Sequence, residues 1–336
     1  MAGRKLYLGL DSSTQGLKAS VIDDDLKLVY EKAINFDKDL PQFNTKGGAH
    51  QHEDGLTVTA PAIMWVAAVD LLFSQMKDDD APLSEIVAIS GSGQQHGSVW
   101  LKPGTADVLA GLDATQSLEA QLGQVFSVAD SPIWMDFSTT AQCQALEAAL
   151  GGAQAVAELT GSRAYERFTG NQIAKIEQQQ ADAYTGTERI ALVSSFLPSL
   201  MVGGYAPIDA SDGSGMNLMD IRSRDWAPVA LDATAPDLKE KLGPVVSSHE
   251  VAGSLSPYFA ERFGFDRDCT VIAFSGDNPN SLAGLRLEHT GDIAISLGTS
   301  DTVFGSLAEP RPSAEEGHIF VSPVQPDAFM GMIVFK

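Results

Sequence analysis

Residues 6–22 and 292–304 share one design, and that repetition narrows the folds open to the chain. The first copy is an apolar run, Leu6 to Leu10, that ends in Asp11. Ser12-Ser13-Thr14-Gln15-Gly16 follows, then a second β-type run, Ala19-Ser20-Val21-Ile22. The second copy is Asp292-Ile293-Ala294-Ile295-Ser296-Leu297-Gly298-Thr299-Ser300-Asp301-Thr302-Val303-Phe304. Each reads as a strand, a tight turn and a returning strand. Backbone N–H groups, hydroxyls and glycine in such a turn suit a phosphate. Asp11 suits a hard cation such as Mg2+, which takes oxygen ligands. Alone, the first stretch fits no established nucleotide motif, and an ordinary polar-tipped hairpin is the better reading of it. Two such hairpins suggest duplicated domains that face each other across a phosphate tail.

The 336 residues are enough for two domains. Asp and Glu number 44 against 22 Lys and Arg, a net charge of −22 that weighs against nucleic acid and anionic membranes as partners. No apolar run reaches the roughly 18 residues of a membrane span, and Met1 to Lys5 run into a strand pattern with no signal-peptide region. Two cysteines, Cys143 and Cys269, make no disulfide framework, and the expected setting is cytoplasmic. Oligomeric state leaves no signal in the sequence.

Between the hairpins the pattern is α/β. Leu26 to Glu31 reads as a third strand, and Phe36 to Asp54 as an irregular segment whose His50 and His52 lack metal-site spacing. Thr59-Ala60-Pro61 opens a helix, with Trp65 in its core face. Glu85 to Ile89 is a buried strand that empties into Ser90-Gly91-Ser92-Gly93-Gln94-Gln95-His96-Gly97-Ser98, and glycines and polar side chains past a strand's carboxyl end often mark a ligand crevice in α/β sheets. Residues 103–130 read as loop plus one weak helix. Pro132 to Asp136 is strand-like, and Thr139 to Leu150 and Ala153 to Leu159 are helical. Asn171 is positioned to cap a helix from Gln172 to Ala183. Taken alone, Arg167 belongs on the surface, and His96 reads equally as a satisfied loop histidine or as a ligand contact. Thr270 to Phe274 is an apolar strand ending in Ser275-Gly276-Asp277-Asn278, with a helix from Ser281 to Leu285. A carboxylate there is either a helix cap or a displayed base.

A phosphate tail gripped by paired hairpins is the logic of the actin-like ATPase (ribonuclease H-like) fold. The chain also resembles the FGGY carbohydrate kinase family, within its pentulose branch. The residues that carry the resemblance are Leu8 to Lys18, Gly93 to Ser98, Pro132 to Asp136, Thr139 to Cys143, Tyr165 to Gly170, Ser211 to Asn217, Gly276 to Asn278 and Ser296 to Ser300. The resemblance implies transfer of the ATP γ-phosphate to the 5-hydroxyl of D-xylulose. Asp277 would be the general base, and His96, Arg167, Asp277 and Asn278 the sugar contacts. Asp11 would position Mg2+. Thr14, Gln15 and Lys18 would line the phosphate path, with Gly298 and Thr299 opposite. The alternatives are a family kinase for ribulose, gluconate or glycerol, or a non-catalytic sugar-binding fragment.

The resemblance implies a complete sugar-binding domain over 1–288 and the start of a nucleotide domain over 289–336. Only about 45 residues follow the boundary, short of the usual 50–200 of a domain. The expectation is a truncated chain that lacks the adenosine site, leaves exposed strand edges and phosphorylates weakly or not at all.

Overall fold

A computed structural model describes residues 4–297 and 301–335. Strand β1 (Leu6–Ser12) buries Leu6, Leu8 and Leu10 on one face, the alternation expected of a half-covered strand. It turns at Ser13, whose N–H donates to the Gly16 carbonyl (3.0 Å), into antiparallel β2 (Gly16–Asp23). Strand β3 (Leu28–Asn35) pairs with β2 and runs four residues beyond the expected Glu31, because Gly16 to Val21 supply it with a partner along that length.

Two sequence expectations shift here. Thr59 to Pro61 lie in a strand, Val58–Pro61, and helix α1 (Ala62–Asp78) begins only after Pro61. The segment 36–54 is not wholly irregular: Phe36–Asp39 forms a helical turn capped by Asn35, and His50–Gln51 pairs with Val58–Thr59. Apolar residues of α1, among them Val66, Val69 and Phe73, join the sheet's inner face in one large core.

Strand β4 (Ile86–Gly93) does not empty out at Ile89. It continues through Ser90-Gly91-Ser92-Gly93, because β1 pairs in parallel along one side over its whole length. A Cβ on Gly91 would stand 2.4 Å from the Leu10 carbonyl oxygen and 2.7 Å from the Phe274 ring, so the glycine permits the close approach. Residues 103–130 carry two short helices, Thr105–Ala110 and Leu118–Leu122, and a strand, Phe126–Val128.

Helix α2 (Thr169–Gln179) starts before Asn171, which is therefore no cap. Asn171 is buried inside the helix, and its side-chain amide donates to the Tyr165 carbonyl at 2.8 Å. Helix α3 (Val193–Val202) packs against β4. Strands β5 (Val251–Ser254) and β6 (Thr270–Ile272) complete the seven-stranded sheet, in the order β5-β6-β4-β1-β2-β3, with the two-residue strand Ser275–Gly276 also on β4. Helix α4 (Asp277–Gly284) follows directly, so Asp277 opens the helix and Gly276 is its cap.

Past α4 a separate four-stranded antiparallel sheet forms from β7 (Ile293–Ser296), β8 (Asp301–Leu307), β9 (His318–Val321) and β10 (Phe329–Phe335), in the order β7-β8-β10-β9. Strands β7 and β8 pair as the second expected hairpin. Strand β9 is also tied to the preceding residues: the Ile319 N–H donates to the Gly161 carbonyl (2.9 Å) and the Val321 N–H to Ser214 Oγ (3.1 Å). No helix among the described residues is long and apolar enough to cross a membrane.

Candidate active site

The site is laid out by β4. Asp11 on β1 stands level with Ser92, and Ser92 Oγ donates to Asp11 Oδ1 at 2.8 Å. On the other side of β4, Ser275 and Gly276 pair with Ser92 and Gly93. Asp277 comes next, in the first turn of α4. The two strands that deliver these carboxylates are thus two strand spacings apart, roughly 10 Å.

Asp277 is half-buried. The Asn278 backbone N–H donates to its Oδ1 at 2.9 Å. Loss of solvation pushes its carboxyl up to about 6, and the charge of Asp11 adds to that push against the pull of backbone donors. Behind it a polar chain leads inward. Asn278 Nδ2 donates to Gln95 Oε1 (2.9 Å), and Gln95 Nε2 reaches Asp212 Oδ1 (3.4 Å). Ser194 Oγ donates to Asp212 Oδ2 (2.6 Å). Burial first, then the charge of Asp209, raises the Asp212 carboxyl well above the usual range.

His96 is buried and sits in the left-handed region at φ 68°, a conformation few non-glycine residues adopt. Its ring stacks on Phe168 with centroids 4.5 Å apart. Nδ1 lies 3.1 Å from the Gly215 carbonyl oxygen, which can only accept, so Nδ1 carries the proton and Nε2 keeps its lone pair. Burial, followed by the charge of Arg167, holds the imidazole neutral by lowering it well below its ordinary value. Arg167 lies in the cleft and not on the surface. Its guanidinium stands 5.0 Å over the Tyr165 ring and 5.7 Å over that of Phe168.

One cleft of about 360 Å3 is lined by Thr14, Gln95, His96, Arg167, Asp277 and Asn278, with Thr302, Met332 and Val334 on the second sheet's side. Three elements far apart in sequence therefore meet at the four residues singled out for a sugar. Trp134 also borders the cleft and donates from Nε1 to Thr14 Oγ1 at 2.8 Å. Gln15 and Lys18 are exposed and do not line it, although Lys18 stands directly across from Asp11 in register. Gly298 and Thr299 lie outside the described residues. His50 and His52 bond locally, to the Phe43 carbonyl and Thr59 Oγ1. The sequence reading placed Gln95 and Thr302 inside its motifs without giving either a site role, and it missed Met332, which carries no chemistry-bearing pattern of its own, and His318, which reaches Arg167 from β9.

Asp11 fits a Mg2+ held chiefly by phosphates and water. One of its oxygens takes the Ser92 hydroxyl, leaving the other for a ligand, and no group of three candidate metal ligands occurs among the described residues. Mg2+ usually takes only one or two protein carboxylates beside substrate phosphates.

A family model described as FGGY family of carbohydrate kinases, N-terminal domain, matches residues 127–284. The chain is 56% identical over 335 residues to a xylulose kinase of Mus musculus, covering 100% of this chain and 60% of that protein. It is 52% identical over 332 residues to xylulose kinase 2 of Arabidopsis thaliana, covering 98% and 59%. The crystal structure of xylulose kinase from Rhodospirillum rubrum aligns with a TM-score of 0.81 at 14% identity, over 99% of this chain and 61% of that one, a likeness of fold. The fold is the α/β architecture of the actin-like ATPases. The chain spans about 60% of the length of these curated relatives.

Proposed function

We propose that the chain belongs to the FGGY family of carbohydrate kinases, and that it holds the sugar site and general base for phosphorylation of D-xylulose at its 5-hydroxyl by ATP. The observation that carries the reading is the raised, half-buried carboxyl of Asp277 in one cleft with His96, Arg167 and Asn278. A base near 6 is mostly ionised at pH 7 yet basic enough to take a hydroxyl proton. Its Asn278 contact holds the carboxylate in place. The free Nε2 of His96 accepts one sugar hydroxyl and Arg167 donates to another. A site built this way discriminates against analogues that lack those hydroxyls.

Phosphoryl transfer depends on positioning and charge neutralisation, and Mg2+ bound with the nucleotide would supply the latter. Asp11 would hold that ion. Thr14, Gln15, Lys18, Gly298 and Thr299 would face the phosphates. We read 1–288 as the sugar-binding domain and 289–336 as the start of the nucleotide domain. Relatives named xylulose kinase at 56% and 52% identity favour D-xylulose over other family substrates. A cytoplasmic setting, with no nucleic acid or membrane partner, is consistent with the charge of −22.

Isothermal titration of D-xylulose into the 336-residue chain tests the reading. Saturable binding is expected, with His96→Ala weakening it about tenfold or more through an unpaired sugar hydroxyl. Binding unchanged by His96→Ala would refute the assignment.

A further inference from the structure

Strand β9 brings a second histidine to the site. His318 is buried, and its Nε2 lies 2.6 Å from Arg167 Nη2. A guanidinium has donors only, so Nε2 accepts. The ring proton is then on Nδ1, which faces Ser162 Oγ at 3.2 Å. The ring is also fixed by packing: Tyr165 meets it edge-on at 4.6 Å between centroids, and Phe168 and Phe320 stand at 5.3 and 5.9 Å. The strand that carries it is held by the Ile319–Gly161 and Val321–Ser214 bonds and by Ser211 Oγ, which donates to the Val321 carbonyl at 2.5 Å.

We infer that His318 is a positioning residue of the sugar site, accepting an Arg167 N–H and so aiming the guanidinium into the cleft from the second sheet. An acceptor that could gain a proton would repel Arg167. Burial first, and the charges of Arg167 and Arg163 after it, instead lower His318 to about 3 and keep it neutral. A carboxylate in its place would neutralise the guanidinium. An imidazole orients it and leaves its positive charge for the ligand. The arrangement also makes sugar recognition depend on β9 being seated, so residues 318–321 belong to the site although they are remote from it in sequence.

The inference rests on D-xylulose being the ligand of this cleft, and the test separates the two claims. D-xylulose is titrated into the 336-residue chain and into its His318→Phe, His318→Gln, Arg167→Leu and doubly substituted His318→Phe/Arg167→Leu forms. Phenylalanine keeps the ring packing and removes the acceptor, and should weaken binding about tenfold or more. Glutamine places a carbonyl oxygen near Nε2 and should stay within about threefold of wild type. In the Arg167→Leu background, His318→Phe should add nothing, because its effect passes through the guanidinium. Equal loss in both backgrounds, or no loss, overturns the inference. Nitrogen-15 NMR of the unsubstituted chain supplies a sugar-independent readout: a neutral, Nδ1-protonated His318 from about pH 5.5 to about pH 8. An Nε2-protonated ring overturns the Arg167 contact even if the sugar binds. Failure of the unsubstituted chain to bind D-xylulose, with the Nδ1–H form present, refutes the ligand and with it the sugar role, leaving the contact intact.

Discussion

Replacing Asp277 by asparagine should stabilise the fold, and should do so only at neutral and alkaline pH. The carboxyl is raised from 3.8 to about 6, chiefly by burial and then by Asp11. A raised carboxyl favours its protonated form in the folded state. Its contribution is therefore fully present below 3.8 and is lost as pH climbs through about 6. Above that, the ionised group costs the fold about 3 kcal/mol. Asparagine removes the charge at nearly constant shape. The Asn278 N–H bond becomes weaker toward a neutral amide, which trims the gain to about 2 kcal/mol. At about 2 °C or somewhat more per kcal/mol for a chain this long, the melting temperature should rise about 4 °C at pH 8. Differential scanning calorimetry of both forms at matched pH reads the gap, which should shrink through pH 6 and vanish near about pH 4. A gap independent of pH, or a less stable Asp277→Asn at pH 8, would refute the electrostatic account. If Asp277 is the base proposed above, the same substitution should abolish any D-xylulose-dependent ADP release, so that stability and the proposed base role would pull in opposite directions at one carboxyl.

Gly48→Ala should lower the melting temperature by several degrees. Gly48 sits at φ 78°, and a Cβ there would stand 1.9 Å from the Thr14 carbonyl oxygen, so the first hairpin must shift. Phe73→Ala should cost about 3–5 kcal/mol in a denaturant titration, since its ring is fully buried against Phe259, Phe263 and Phe265. Cys143 and Cys269 are free, buried and pushed up to about 12 by loss of solvation, so an aromatic disulfide reagent should label neither thiol in the native chain and both after unfolding.

Local features of the sequence were readable where a local cause shaped them. The alternation of Leu6, Leu8 and Leu10, and the glycine after the turn, mark the first hairpin without any tertiary knowledge. Ser275 to Asn278 announce a strand-to-helix turn by their own chemistry, and the helix begins at Asp277, earlier than Ser281. Elements set by distant partners were not readable. Ser90 to Gly93 resemble a loop because glycine and serine are poor strand formers, yet pairing with β1 on one side and with Ser275–Gly276 on the other makes them a strand. Thr59 to Pro61 pair with Asp130 to Pro132, some seventy positions on, and so extend instead of coiling. Asn171 looked like a cap because its own spacing suited one. Its amide is taken by the Tyr165 carbonyl and by Asn217, which no spacing reveals. Arg167 was assigned to solvent for the same reason, since its aromatic shelf and His318 come from elsewhere.

Because Asp11 and Ser275 are both indexed to Ser92, strand β4 works as a ruler with one graduation shared by the Asp11 side and the Asp277 side of the cleft. Surface loops on this protein are free to lengthen or shorten without disturbing that scale. A single residue inserted anywhere between Ile86 and Ser92 would instead slide Ser92 away from both neighbours at once and turn its hydroxyl to the opposite face of the sheet.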